Sequence, residues 1–368
     1  MTKLSFGVHL RFIGVWLHNR VNFTTKNHLS NQTMKKILLP VLFSLAAVAC
    51  RADDGPYHFI KEIPVSGDVG WDYLSVDSAA QRLYVSHATR VVVIDLVSNA
   101  VVGEITNTLG VHGLAPAPEL GKGMVTCGRE NKAAIVDLKT LQIITKVDTG
   151  ANPDGMLYEP GHQEFYTFNG RGQSATVIDA NSNEVVTTIS LGGKPEFSQA
   201  DPAAHRVYDN LEDQSEVAVI DTDKHEVVSR WPIAPGESAS GMAFDAKNHH
   251  LFLGCDNQMM EMLNSTSGKV LSSVPIGEGV DANAFDPGTG YAFASCGDGT
   301  TTIAKADGDQ LKVVQVLQTQ KSARTMTIDP ATHKIYLAAA KFEVPQPGER
   351  RGKMDPGTFK ILVYGMDQ

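Results

Sequence analysis

Asp95, Asp137, Asp179 and Asp221 stand 42 residues apart. Each closes a short run rich in β-branched residues: Val-Val-Val-Ile-Asp, Ala-Ala-Ile-Val-Asp, Ala-Thr-Val-Ile-Asp and Val-Ala-Val-Ile-Asp. Self-similarity at a fixed period obliges a chain to fold as repeated supersecondary units that bury their faces against one another. Each period here holds four short runs of strand character. Four strands in about 40–45 residues is the period of a β-propeller, in which four-stranded blades surround a central channel.

The order of events within a unit is constant. A first run ends at an acid-proline corner, at Glu159-Pro160, Asp201-Pro202, Asp286-Pro287 and Asp329-Pro330, with Asp77 and Asp245 in that place without the proline. In the second unit Ala115-Pro-Ala-Pro118 replaces the corner. A polar turn follows, then an alternating strand such as Arg82–Ser86, Glu164–Phe168 or Lys334–Ala338. The Asp-terminated run comes third and an outer strand such as Val101–Ile105 or Val185–Ile189 fourth. Seven such units are counted, the last two degenerate in their third strand (Thr301–Lys305 and Phe359–Gly365). No fourth run follows Ile361–Tyr364, but Tyr57–Val65 precedes the first unit and can complete the last blade, removing two exposed sheet edges. The expected fold is therefore all-β: one seven-bladed β-propeller of four-stranded antiparallel blades over 53–368, its last blade closed by the N-terminal strand, with no second domain.

The runs Leu83-Tyr-Val-Ser86 and Ile335-Tyr-Leu-Ala338 stand where the repeat of the YVTN-type β-propeller family carries Tyr-Val-Thr-Asn. The chain resembles that family, and more closely the bacterial YncE-like proteins, over nearly all of its length after the leader. The resemblance implies a propeller fold and an exported protein. It implies little about activity, since propellers host many unrelated functions.

Ahead of the propeller, Met34-Lys-Lys36, the apolar stretch Ile37–Ala47 and Ala47-Val-Ala49-Cys50 form a basic, apolar, small-residue series of the secretory kind. Residues 34–52 are thus expected to be a signal peptide, and 1–33 an over-called start or a disordered extension. Cys50 offers a lipid anchor, although Ala47 stands where a lipoprotein signal wants a bulky aliphatic residue, and cleavage after Ala49 or Ala52 fits as well. The mature chain is expected to be periplasmic or secreted, with an outer-membrane lipoprotein as the anchored variant and no transmembrane segment. The whole chain carries a net charge of −9. The leader holds seven basic and no acidic residues, so the remainder has 25 basic against 41 acidic residues, about −16. That excess disfavours nucleic acid, whose phosphates demand clustered cations.

Five residues before each corner, at the start of the innermost strand, the units carry Asp72, His112, Asp154, Glu196, Ser240, Asp281 and Arg324. Inner-strand starts converge on one mouth of a propeller channel, so these seven side chains are expected to form a ring and bind a ligand there. Four carboxylates with an imidazole could hold a divalent cation, the one cofactor the sequence suggests, or a cationic small molecule. The last unit inserts 341–358 between its second and third strands on the same face, a long loop expected to lack its own secondary structure and to act as a lid or docking arm. Cys127, Cys255 and Cys296 end second strands and read as buried thiols, with a Cys255–Cys296 bridge as the alternative. His162, His205, His249, His250 and His333 fall in the turns between first and second strands, where a ring would hold them apart from any shared metal. No nucleophile elbow, His-Glu-x-x-His, phosphate loop or cofactor-attachment motif is present. A binding scaffold for an unknown protein or small molecule is therefore the expected function. The alternative is a lactonase-like hydrolase, in which Glu196, His112, Asp154 and Arg324 activate water and steady an oxyanion.

Overall fold

The computed structural model describes residues 55–67, 70–345 and 352–367; the leader features at 1–33, 34–52 and Cys50 lie outside them. The repeated four-run unit becomes seven four-stranded antiparallel sheets, each running outward from the channel in chain order. The inner strands are Leu74–Asp77, Val111–Ala117, Pro153–Glu159, Pro195–Asp201, Ala239–Asp245, Val280–Asp286 and Thr325–Asp329. The seventh sheet takes its outer strand, Tyr57–Pro64, from the N-terminal side, paired antiparallel with Lys360–Met366. The chain is a seven-bladed β-propeller closed in the way its sequence predicts. Among the described residues the only helical turns are 3₁₀ (Pro118–Leu120 and Glu212–Gln214), the first replacing the missing corner of the second unit. No helix among the described residues is long and apolar enough to cross a membrane.

The third strands read as continuous apolar runs because both faces of a blade are covered by its neighbours. Val91, Val92, Val93 and Ile94 are all buried, whereas Val101 and Val102 on the outer strand are exposed. Each core cluster spans a blade junction: Tyr166, Phe168 and Val177 of blade 3 meet Val207, Leu211 and Ile220 of blade 4.

The recurrent Asp ends the third strand because its carboxylate organises the turn that follows. Asp95 accepts from the Ser98 N–H at 2.7 Å, Asp137 from Thr140 at 2.7 Å, and Asp179 from Asn181 at 3.0 Å. In blade 5 Asn264 does the same for Thr266 and Ser267. Just ahead of the outer strands of blades 1–4 the chain turns left-handed, at Asn99, Leu141, Asn183 and His225. These turns then become docking points for the preceding blade. The Arg82 guanidinium donates to the Leu138 carbonyl, the Lys122 ammonium to the Ala180 carbonyl at 2.7 Å, and Glu164 faces His225 at 3.0 Å.

One expectation is corrected, and for the cysteines the alternative falls away. The base of the insert is not an unstructured loop: Phe342 bridges Met354, the Glu343 N–H donates to the Lys353 carbonyl at 2.8 Å, and Asp355 N–H donates to Lys341 at 2.9 Å. The Cys255–Cys296 bridge is not formed. Cys127, Cys255 and Cys296 are separate buried thiols, each pushed up to about 12 by burial.

Candidate functional site

The inner strands deliver the seven ring positions to one mouth, where they associate in pairs and triads. Asp72 sits just ahead of its strand, its N–H donating to Ser86 Oγ at 2.8 Å. His112 Nδ1 lies 2.7 Å from Asp72 Oδ2 and 3.0 Å from Asp154 Oδ1. Burial works against the imidazolium, but its hydrogen bonds to Asp154 and Asp72 outweigh burial and push it up to about 10. Burial raises Asp72 to about 6 in spite of that partner. Glu196 is pushed up to about 8 by burial and by the Asp154 charge, although Lys194 Nζ stands 3.3 Å from Oε2. Asp281 pairs with Arg324 Nη1 at 3.4 Å and accepts from Thr325 Oγ1 at 2.9 Å. Ser240 is the exception: it is buried, and among the described residues no hydrogen bond joins its hydroxyl to the other six.

The ring closes over a residue that sequence reasoning passed by. Tyr73 is held well above its ordinary range by burial and then by the charges of Glu196, Asp154, Asp72 and Asp281. Its hydroxyl donates to the Glu196 carbonyl at 3.3 Å, and its ring leans on Phe197 with centroids 5.0 Å apart. A signal was present: the same column holds Gly113, Gly155 and Gly241 in other units, so the two aromatics stand out from it. Both line a cavity of about 550 Å³ with Met156, Tyr158, Phe244 and Phe285, and no ring residue lines it. Beside the mouth, Trp71 packs on Phe359 (4.9 Å) and on Phe342 of the insert (6.0 Å), which seats the arm one residue from Asp72.

Among the described residues, two groups hold three metal-ligand donors whose atoms lie within 4.8 Å of one another in each group: Asp72, His112 and Asp154 at the mouth, and His162, His205 and Asp223 at the opposite rim. At the mouth, a cation must displace the imidazolium proton that already joins both carboxylates. At the rim, the expectation that the ring keeps its histidines apart is overturned for His162 and His205, while His250 is buried within its strand.

No protein-family model matches the chain, and no curated protein matches it. Solved structures do. The structure of U3-55K is similar with a TM-score of 0.71 at 11% identity, over 84% of this chain and 99% of that one. The crystal structure of the RRP9 WD40 repeats is similar with a TM-score of 0.72, also at 11% identity, over 85% and 99%. Likeness at that identity is a likeness of fold, and the ligand has to be argued from the site.

Proposed function

We propose that this propeller is a non-catalytic binding scaffold whose receiving face is the mouth ringed by Asp72, His112, Asp154, Glu196, Asp281 and Arg324, and whose ligand presents positive charge. The observation that carries it is the gathering of carboxylates at one mouth, where Asp72 and Asp154 both meet His112, Asp281 meets Arg324, and Glu196 Oε2 stands 3.3 Å from Lys194. Asp256, raised by burial and then by Glu212 and Asp281, extends the acidic field beyond the ring. With Glu196 mostly protonated at neutral pH and the other carboxylates paired with His112 and Arg324, the mouth favours docking of a lysine- or arginine-bearing segment, or a small amine, that takes over those pairings and draws the proton off Glu196. The WD40-repeat neighbours support a scaffold by analogy of fold alone. The insert, seated on Trp71, would flank such a ligand. We further take the protein to act outside the cytoplasmic membrane, as the leader pattern and the likeness to exported YncE-like propellers suggest; fractionation of cells that express the whole chain tests that separately.

The hydrolase alternative is weaker on physical grounds. An imidazole pushed up to about 10 is an imidazolium at neutral pH and has no lone pair at Nδ1 to take a proton from water. Glu196, near 8, is mostly protonated there, so it is placed to donate a proton before it can accept one.

The test is binding of a fluorescent lysine-rich peptide and of its glutamate-rich counterpart, followed by anisotropy. The lysine peptide alone should bind, more weakly as salt rises, and about tenfold more weakly in Asp154→Asn with Asp281→Asn. Equal binding of both peptides, or indifference to those substitutions, would sink the assignment. Turnover of lactones that is lost in Glu196→Gln would replace it with the hydrolase.

A further inference from the structure

Where blade 3 meets blade 4, at the rim away from the acidic mouth, three turns converge. One follows the corner Glu159-Pro160 and carries His162, one follows Asp201-Pro202 and carries His205, and the third follows Asp221 and carries Asp223. Asp223 Oδ1 stands 2.8 Å from His162 Nε2 and 3.1 Å from His205 Nδ1. The two imidazoles meet edge to face with centroids 5.8 Å apart. We propose that His162 Nε2, His205 Nδ1 and Asp223 Oδ1 are the protein ligands of a divalent ion of the zinc class, with a fourth position open to water or to a donor from a partner.

The donor set selects the ion. Two imidazole nitrogens with one carboxylate suit zinc and its borderline neighbours, whereas calcium and magnesium ask for oxygen alone. Ligands about 2.0–2.1 Å from a tetrahedral ion lie about 3.4 Å apart. The two carboxylate-to-imidazole separations, 2.8 and 3.1 Å, open by about 0.6 and 0.3 Å to reach that spacing, and the two imidazole nitrogens already lie within 4.8 Å of each other; the side chains of His205 and Asp223, 55% and 57% exposed, are free of the packing that would prevent the adjustment.

A second observation sets this cluster apart from a chance surface ion pair. Glu159 is buried, and its Oε1 accepts from the Gly161 N–H at 2.7 Å while Oε2 accepts from the His162 N–H at 2.7 Å. The same Oε2 faces His162 Nδ1 at 3.0 Å. A carboxylate that holds the hydrogen of one ring nitrogen fixes the imidazole and turns the other nitrogen toward a metal. An ion entering here replaces the proton between His162 Nε2 and Asp223 and leaves the Glu159 contact intact. The trio at the mouth lacks that arrangement, since His112 Nδ1 alone faces both carboxylates and its Nε2 lies against Gly128. Filled, the rim site would tie blade 3 to blade 4 beside the Glu164–His225 pair.

The experiment titrates zinc alone into the full-chain protein, free of any histidine tag, against a chromophoric chelator, with thermal melts in parallel. One ion per chain should bind and raise the melting temperature. His205→Ala and Asp223→Asn, at exposed side chains, should each abolish that binding, and Glu159→Gln should weaken it about 10–100-fold without removing a ligand. Asp154→Asn at the mouth should leave zinc affinity unchanged. No zinc uptake by the unaltered protein, zinc binding that survives His205→Ala, or zinc lost in Asp154→Asn would each overturn the site.

Discussion

Asp209 and Glu261 are buried carboxyls whose oxygens find no hydrogen-bond partner among the described residues. Asp209 lies on the second strand of blade 4 opposite Ser198, and burial, then the Glu196 charge, holds it well above the carboxylate range. Burial alone pushes Glu261 in blade 5 up to about 7 from its ordinary 4.5. An unpaired carboxylate in such a place costs far more than the neutral acid, so the fold favours the protonated form of both, for Glu261 up to about pH 7. The sign of the linkage follows. Between about 4.5 and 7 the unfolded chain has released the Glu261 proton while the folded chain keeps it, so stability falls as pH rises through that window. Glu261→Gln and Asp209→Asn keep the shape and remove the titration. Thermal melts from pH 5 to 8 should show the unaltered protein losing stability with pH and each amide variant losing less, ending above it at pH 8. A variant that melts lower at pH 8 would mean these carboxylates are ionised and paired in the fold.

The closing strand Tyr57–Pro64 is the element on which the ring depends, and Tyr57 is where it is fastened. Its side chain is buried against Phe293 at 5.1 Å, its hydroxyl donates to the His333 carbonyl at 2.7 Å, and its backbone exchanges two hydrogen bonds with Gln315 of blade 6. Tyr57→Ala should cost about 3–5 kcal/mol, as for a large aromatic removed from a core, and Tyr57→Phe about 1 kcal/mol for the lost hydrogen bond. Denaturant midpoints at constant slope measure both. Similar losses in the two variants would place the strand's value in the hydroxyl and not in the packing. This closure was legible in the sequence, as were the seven blades, because apolar runs and turn-forming Asp residues are local features. The ring was legible as a column for the same reason, though Ser240 stands apart from it. The aromatic pair Tyr73 and Phe197 was missed because it departs from its column only when seven units are compared across the axis. Neither the β-bridged base of the insert nor the rim cluster could be read, since His162 and Asp223 are 61 residues apart and meet only through the way one blade docks on the next.

At the scale of the whole molecule, a chain of net charge −9 brings four of its carboxylates to one mouth, and that concentration makes the mouth sensitive to pH. Glu196 near 8 and Asp72 near 6 are raised because burial and neighbouring charge oppose ionisation. A bound cation reverses that opposition: it stabilises the carboxylate and drives the proton off. Binding of a lysine-rich peptide should therefore tighten as pH rises from about 6 to 8 and release protons at pH 7. Calorimetry in buffers of different ionisation enthalpy counts those protons directly. Glu196→Gln should bind more weakly at pH 8, approach the unaltered protein at pH 6, and release fewer protons at pH 7. Salt provides the second axis, because mouth charges that remain open to solvent are screened over about 8–10 Å at physiological ionic strength. If binding weakened with rising pH, or released the same number of protons without Glu196, the cation would be docking away from the mouth and the ring would be serving the channel's closure alone.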